Sequence, residues 1–194
     1  MRTERRDRPG RCPGWPAINA GGLRRAHYRA LSGDGFELAL LQNASVGKRI
    51  RLEQGVSAWL EGATITGDIR ISDVVDTRIL EARLAGDLVV RSGREVVLFC
   101  GSTVAGDARF AANKSWVGIG DGSTTCRGND VRGSIRAHHN LGGVTVANNT
   151  VGRNLVCAAN DPAPEVSGNR VGGKARGQCG AGETVNTSEL SDGA

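Results

Sequence analysis

Residues 63–71 read ATITGDIRI, and the same pattern returns as ARLAGDLVV at 82–90 and as STVAGDARF at 102–110. Each copy has an apolar third residue, a Gly-Asp pair, and then two apolar residues that flank a variable one. The glycine recurs after 19 and then 20 residues, at Gly67, Gly86 and Gly106. A repeat of fixed length is typical of a solenoid protein, in which each repeat forms one coil.

The register extends over seven repeats when that glycine is numbered position zero. Position zero then holds Lys48, Gly67, Gly86, Gly106, Gly133, Arg153 and Gly173. Successive intervals are 19 or 20 residues, except for 27 residues between Gly106 and Gly133. The longer interval predicts an inserted loop at one corner of the solenoid, which we place at residues 118–128 (GIGDGSTTCRG).

Apolar residues at fixed phases support this register. Two residues before position zero, every repeat has an aliphatic side chain: Val46, Ile65, Leu84, Val104, Val131, Val151 and Val171. Two and four residues after it, the pairs are Ile50/Leu52, Ile69/Ile71, Leu88/Val90, Ala108/Phe110, Ile135/Ala137 and Leu155/Cys157. Such alternation predicts short strands with one buried face.

The repeat length fits one small coil of two or three strands. At about 3.3 Å per residue, 19–20 residues trace about 60–65 Å. Coils stacked about 4.8 Å apart would pair each strand with its counterpart in the next coil. No amphipathic helix of about 10–15 residues separates the strands, which excludes a βαβ fold. The predicted fold is all-β, a right-handed parallel β-helix of about seven turns over residues 33–179.

Two residue types are expected at the corners of this solenoid. Glycine at position zero is predicted to adopt a positive φ where the chain changes face. Asn129, Asn149 and Asn169 share the position four residues before zero. They predict a ladder of stacked amides that satisfies the backbone polar groups of the bend.

The net charge of +5 is concentrated at the N-terminus. Eight arginines and two acids give residues 1–30 a charge of +6, which leaves −1 for the remaining 164 residues. The folded domain is therefore not predicted to bind nucleic acid. Residues 1–32 are predicted to be a disordered basic tail and residues 180–194 a flexible C-terminal tail. No apolar run of about 18 residues is present to predict a membrane span.

Four of the five cysteines fall in the repeats. Cys157 has an inward phase in the sixth repeat and Cys179 follows the last, so a bridge between them would close the C-terminal end of the core. Cys100 and Cys126 lie in adjacent turns and can form a second bridge. Two disulfides would indicate an oxidising compartment, and four buried thiols are the alternative. The spacing is not typical of a zinc site, and we expect no cofactor.

The closing run of residues 148–179, NNTVGRNLVCAANDPAPEVSGNRVGGKARGQC, resembles small secreted actinobacterial proteins of unassigned function. Their repeats read GNxxV, and their tails read NTVGGNLxC…GNxPAP…GNxVGG…GQC. The resemblance covers about residues 60–179 and implies a β-helix, disulfides and an extracellular or cell-surface location, with no catalytic residues to carry over. Two departures are Arg153, which replaces a glycine, and the lack of an apolar signal segment after the N-terminal arginines.

The Gly-Asp-Ile phrases also resemble bactofilins, which are cytosolic bacterial β-helices that polymerise end to end. This second resemblance implies self-association into filaments. Bactofilins usually lack a cysteine framework, so we rank this interpretation below an exported protein.

Positions one and three after zero are expected to face outward. Position three holds Arg51, Arg70, Val89, Arg109, Arg136, Val156 and Arg176, and position one holds Arg49, Asp68, Asp87, Asp107, Ser134, Asn154 and Lys174. The arginine column predicts a binding stripe for an anionic wall polymer or polysaccharide. The simpler alternative is a solvated face, whose diagonal Asp–Arg contacts of at most about 1 kcal/mol relieve the repulsion of stacked like charges.

No catalytic residue and no metal ligand is predicted. Asp68, Asp87 and Asp107, stacked about 4.8 Å apart, would be close enough to share a calcium ion or to act as a carboxylate pair. However, each has an arginine two residues further along the chain or in a neighbouring coil, and no cleft is evident. A β-helix polysaccharide lyase or hydrolase is therefore the least favoured alternative.

The remaining polar and aromatic side chains do not form a recognisable site. His138 and His139 have no acid or nucleophile beside them and are placed on a surface turn. Trp59, Phe99 and Trp116 differ in phase, which favours core packing over a sugar-binding platform. The sequence thus predicts a non-catalytic exported surface or matrix protein.

Overall fold

The computed structural model describes residues 37–53, 55–121, 123 and 125–180, with side chains from residue 41 onward. The predicted N-terminal tail, Cys12 and all but Gly180 of the predicted C-terminal tail lie outside the described residues. Within the described ranges the chain is all-β, and it forms no helix that could cross a membrane.

Twenty-one strands form seven coils of three strands each. Coils one to three contain β1 (Glu37–Gln42), β2 (Ser45–Val46), β3 (Ile50–Glu53), β4 (Val56–Glu61), β5 (Thr64–Ile65), β6 (Ile69–Ser72), β7 (Thr77–Leu80), β8 (Arg83–Leu84) and β9 (Leu88–Arg91). Coils four to seven contain β10 (Val97–Cys100), β11 (Thr103–Val104), β12 (Ala108–Ala111), β13 (Val117–Ile119), β14 (Asp130–Val131), β15 (Ile135–His138), β16 (Val144–Ala147), β17 (Thr150–Val151), β18 (Leu155–Ala158), β19 (Glu165–Ser167), β20 (Arg170–Val171) and β21 (Ala175–Gly177).

Strands at the same place in successive coils form three parallel seven-stranded sheets. Sheet 1 begins with β1, sheet 2 with β2 and sheet 3 with β3, and each takes every third strand thereafter. The pairing keeps the predicted register, as in Ile69 beside Leu88 and Val104 beside Val131. The seven-turn parallel β-solenoid is confirmed. Its corners are named here by the sheets that they join: 1–2, 2–3 and 3–1.

The residues predicted to point inward form the core. Ile69, Leu88, Phe110 and Leu155 all lie on sheet 3 and are completely buried. Phe99, from sheet 1, packs against Phe110 with 5.6 Å between the ring centroids. Burial of each such side chain contributes about 1.5–3 kcal/mol, so the stack of coils is held together by one continuous apolar interior.

The reason predicted for the position-zero glycines is wrong. Gly67, Gly86, Gly106 and Gly133 do not have positive φ angles. They are required because successive coils approach closely at corner 2–3. A Cβ at Gly86 would lie 2.6 Å from Oδ1 of Asp68 and 2.7 Å from the carbonyl carbon of Gly67.

Buried asparagine ladders support the two other corners. At corner 1–2, the predicted ladder is present: Oδ1 of Asn149 accepts hydrogen bonds from both nitrogens of Asn129 at 2.9 Å, and Asn169 does the same for Asn149. At corner 3–1 a second ladder, which was not predicted, contains Asn113, Asn140, Asn160 and Gln178.

The inserted loop starts slightly later than predicted. Strand β13 continues sheet 1 through Ile119, so the extra residues leave the solenoid after Gly120 and rejoin it at Asn129, at corner 1–2. Cys126 in this loop is bonded to Cys100 at the end of β10, with 4.9 Å between the Cα atoms. The disulfide therefore fastens the loop to the coil before it.

The second disulfide closes the C-terminal end. Cys157, on the inward side of β18, is bonded to Cys179, and their Cα atoms are 5.0 Å apart. Both residues are completely buried. The backbone N–H of the adjacent Gln178 donates to the carbonyl of Cys157 at 2.8 Å, so the last turn of the chain folds across the core.

Candidate functional site

The five predicted arginines lie in one column on the outer side of sheet 3. In-register pairing places Arg51 beside Arg70 and Arg109 beside Arg136. One valine separates these two pairs, and another separates the second pair from Arg176. Strand alternation places all of them on the side opposite the core, because neighbouring strand residues point to opposite faces.

Two further basic side chains extend this surface: Arg91, which the sequence analysis did not single out, and His138, which was expected on a surface turn but ends strand β15. Arg91 and His138 both occupy position five after zero, and strand pairing aligns each with Ala111 of β12. Positions three and five point to the same face of a strand, so alternation alone could have placed Arg91 and His138 on the outer side. The arginine face is defined here as the outward side of sheet 3 that carries Arg51, Arg70, Arg91, Arg109, Arg136, His138 and Arg176.

Two of these arginines are neutralised by acids. Nε of Arg51 lies 2.7 Å from Glu53, and Nη1 of Arg136 lies 2.5 Å from Oδ2 of Asp107. Burial alone would raise the pKa of Asp107, but hydrogen bonds from the Ser134 amide and the Arg136 guanidinium outweigh that effect and lower it. Asp107 therefore remains a carboxylate and keeps Arg136 paired.

The three other arginines of the column are not paired with a carboxylate in the described part of the chain. Among the residues that the structure describes, Arg70 and Arg176 have no ion pair. Arg109 donates from Nε to Nε2 of His138 at 2.8 Å, so its hydrogen-bond partner is an imidazole and not a carboxylate. These three guanidinium groups keep their charge available to an incoming anion.

The two histidines form a chain with Arg109. Because a guanidinium can only donate, Nε2 of His138 must be the unprotonated nitrogen, and its proton is on Nδ1. Nδ1 of His138 lies 3.2 Å from Nδ1 of His139 and donates to it. Burial lowers the pKa of His138, and the positive charge of Arg109, with smaller effects from His139 and Arg136, lowers it further.

The aspartate column has a structural role at corner 2–3. Oδ1 of Asp68 accepts the backbone N–H of Asp87 at 3.2 Å, and Oδ1 of Asp87 accepts that of Asp107 at 2.9 Å. Oδ1 of Asp107 accepts the backbone N–H of Ser134 at 2.8 Å, and the hydroxyl of Ser134 accepts the backbone N–H of Asn154 at 3.3 Å. These side chains hold successive coils together through the backbone.

Positive charge increases towards the C-terminal coils. Residues 37–129 contain 11 basic and 11 acidic side chains, whereas residues 130–180 contain six basic and three acidic ones, a net charge of +3. After Asp107 the corner column continues with Ser134, Asn154 and Lys174, and Arg153 lies at the same corner. Beyond Asp107, which pairs with Arg136, this corner therefore supplies no further acid to balance the arginine face in the described coils.

The predicted core packing of the aromatic residues is correct only for Phe99. Trp59 and Trp116 are half-buried on the outer side of sheet 1. The Trp59 indole donates to Asp76 at 3.1 Å, and the guanidinium carbon of Arg78 lies 4.7 Å from its ring centroid. The Trp116 ring occupies space that a side chain at position 118 would fill, and its indole donates to a threonine hydroxyl.

The inserted loop borders a shallow groove of about 220 Å³ at corner 1–2. Its lining includes Glu61, Leu80, Glu81, Gly101 and Arg127. Nη2 of Arg127 donates to Oε1 of Glu81 at 2.9 Å across the groove, and this pair neutralises the two charges. The groove therefore presents less unpaired charge to a ligand than the arginine face.

The chemistry available on the arginine face is the binding of oxyanions. Guanidinium groups donate several hydrogen bonds to carboxylate, sulfate or phosphate oxygens. Within the described part of the chain, no group of three or more His, Cys, Asp and Glu side chains is placed to hold a metal ion. No family model matches the chain, and neither the curated proteins nor the solved structures include one with significant similarity to it.

Proposed function

We propose that this protein is a non-catalytic, exported surface or matrix protein that binds acidic polysaccharides or wall polymers along its arginine face. The observation that carries the proposal is the in-register arginine column. Parallel strands are about 4.8 Å apart, so the column presents guanidinium groups at one or two strand spacings from each other along a rigid axis. A polymer with regularly spaced anionic groups can contact several of them at once.

The charges support a polymer as the ligand more than a small anion. An exposed ion pair is worth at most about 1 kcal/mol, so a single contact with Arg70 or Arg176 is weak. Linked contacts add strength because each further contact is intramolecular once the first has formed. The positive second half of the face would attract such a chain most strongly.

A non-catalytic role is supported by the positions of the carboxylates. The Oδ1 atoms of Asp68, Asp87 and Asp107 accept backbone N–H groups of the next coil. These bonds commit one oxygen of each carboxylate to the packing of successive coils, which supports a structural role for the three side chains. An oxidising location is supported by the two disulfides, because such bonds persist mainly outside the reducing cytosol.

End-to-end assembly is the second candidate, and the resemblance to bactofilins is its main support. The strands β19, β20 and β21 end their sheets, and unpaired strand edges can pair with another molecule. The turn that contains Gln178 and Cys179 covers the core at this end. We therefore rank assembly below polymer binding.

Affinity electrophoresis in gels that contain dextran sulfate or neutral dextran tests the proposal. The wild type should be retarded by the sulfated polymer alone, and the retardation should weaken as salt is added. Replacing Arg70 and Arg176 by Gln should weaken binding about twofold to thirtyfold, because about 0.2–1 kcal/mol is lost for each of the two contacts.

The matched control carries Arg83→Gln and Arg170→Gln. Both arginines are exposed on the outer side of sheet 2. The control variant removes the same two charges from a different face and should change binding by less than the Arg70/Arg176 pair. Equal loss in both variants would show that only net charge matters, and the arginine face would not be the binding site.

A further inference from the structure

We propose that Arg109 and the His138–His139 pair, which lie beside the Asp107–Arg136 ion pair, form the primary anion subsite of the arginine face, and that protonation of His138 opens it. The subsite takes an oxyanion group of the bound polymer. This inference rests on the proposed function and adds the position of the strongest contact and its control by pH.

The first step is that the observed hydrogen bonds require neutral imidazoles. Arg109 donates to Nε2 of His138 at 2.8 Å, and Nδ1 of His138 donates to His139 across 3.2 Å. A protonated His138 would carry hydrogens on both nitrogens. Its Nε2–H would then face the Nε–H of Arg109, and this contact would become repulsive.

The second step is that protonation releases Arg109. Without an acceptor at His138, the Arg109 side chain is free to turn its donors outward, and the imidazolium adds a positive charge beside it. The carboxylate nearest to this cluster, Asp107, is held by Arg136 and by the Ser134 amide. An oxyanion from outside is then the remaining partner for both cations.

The third step is that the groups around His138 favour an anion. The charged groups that act on His138 are Arg109 from coil four and Arg136 and His139 from its own coil. Asp107 pairs with Arg136, and Asp107 and Arg153 act on each other. On the β18 side, the residue in register with His138 is the uncharged Ala158. With Asp107 paired to Arg136, the surroundings are net positive.

The sign of the pH dependence follows from these charges. Burial, and after it the neighbouring cations, hold the pKa of His138 below its ordinary value in the free protein, and a bound anion would raise it. By linkage, the protein must then bind the anion more tightly as the pH falls below about 6.5, the ordinary pKa of histidine. Above that range Arg109 stays bonded to the neutral ring.

The test measures dextran sulfate binding at pH 7.5 and 5.5, since sulfate esters stay ionised at both values. All proteins carry His27→Gln, so that His138 and His139 are the only histidines. The parent should bind more tightly at pH 5.5, by up to about fivefold, which is the effect of one complete added charge about 4 Å from an anion in water. His138→Gln should lose this increase, because Gln can accept from Arg109 but does not titrate.

The same measurement with polygalacturonate distinguishes carboxylate from sulfate ligands. If polygalacturonate shows the same pH response and binds more tightly than dextran sulfate, the subsite prefers carboxylates. The histidine titration followed by NMR gives an independent readout in the parent protein, where the pKa of His138 should rise when polymer is added. Binding without pH dependence, or a pH response retained in His138→Gln, overturns the subsite. Absence of binding at both pH values overturns the proposed function itself.

Discussion

At the scale of single residues, the Gly-Asp pair works between coils and not within one. Oδ1 of Asp68 accepts the amide of Asp87 and lies 2.6 Å from where a Cβ of Gly86 would be. An aspartate in one coil therefore requires a glycine in the next. This coupling also explains Arg153 at position zero, because the residue beneath it is the shorter Ser134, whose hydroxyl reaches the next amide at 3.3 Å.

Replacing Gly106 by Ala should therefore destabilise the protein. The new Cβ would overlap Oδ1 of Asp87 and lie 2.9 Å from the carbonyl oxygen of Gly86, and such overpacking costs about 1–3 kcal/mol. Gly47→Ala is the matched control, because nothing lies within 4 Å of its added Cβ. Urea unfolding should show a loss for Gly106→Ala and little change for Gly47→Ala. Equal free energies of unfolding in the two variants would contradict this explanation.

At the scale of elements, alternation predicted the strands but not corner 3–1. Ala112, His139 and Ala159 adopt φ angles of 53°, 56° and 52°, and each such residue reverses the inward and outward phase of the chain. A positive φ is usually indicated by a glycine in the sequence, but alanine and histidine occupy these positions. The buried asparagines that follow were consequently missed, although Asn113, Asn140 and Asn160 share position seven of the repeat.

The arginine face was also predictable only in part. Register and alternation placed five of its six arginines in one column because both depend only on backbone geometry. The bonding of Arg109 to His138 and of Arg136 to Asp107 depends on side-chain conformations that a repeat pattern does not encode. The sequence therefore predicted where the charges lie but not which of them are neutralised.

The second ladder gives a prediction for its central residue. Oδ1 of Asn140 accepts both nitrogens of Asn113, and Nδ2 donates to Phe110 and Asn160. Asn140→Ala should cost about 2–3 kcal/mol, because the buried amide of Asn113 loses its acceptor. Differential scanning calorimetry should show a lowered Tm, and the Asn113 amide should exchange faster in NMR.

The control for this substitution is Asn154→Ala. Oδ1 of Asn154 also accepts a backbone N–H from the next coil, that of Lys174 at 3.0 Å, but the bond is exposed. Water can replace it, so the loss should stay below about 1 kcal/mol. If Asn154→Ala proved as costly as Asn140→Ala, burial would not be what makes the ladder important.

At the scale of the whole molecule, the solenoid is a one-dimensional stack. Each coil pairs only with its neighbours, so stability is a sum of interfaces and opening begins at the ends. The side chains of the last coil are the most exposed, with Val166 and Val171 only partly buried. The bridge between Cys157 and Cys179 ties this coil to the one before it.

The two disulfides should therefore have different effects although they enclose segments of similar length. Sequence separations of 22 and 26 residues each imply about 3 kcal/mol of stabilisation from restriction of the unfolded chain. Replacing Cys157 and Cys179 by Ala should in addition let the last coil open locally. Amide exchange in β19–β21 should become about 100-fold faster, since about 3 kcal/mol corresponds to that factor.

The double replacement of Cys100 and Cys126 by Ala is the matched comparison. It removes a bridge in the middle of the stack, where coils on both sides still hold the strands, and it frees the inserted loop alone. Native-state exchange in β19–β21 should then remain at the wild-type rate, while amides of residues 125–128 exchange faster. If both double variants released the last coil equally, the chain would open as one cooperative unit, and the end-first model of this solenoid would be wrong.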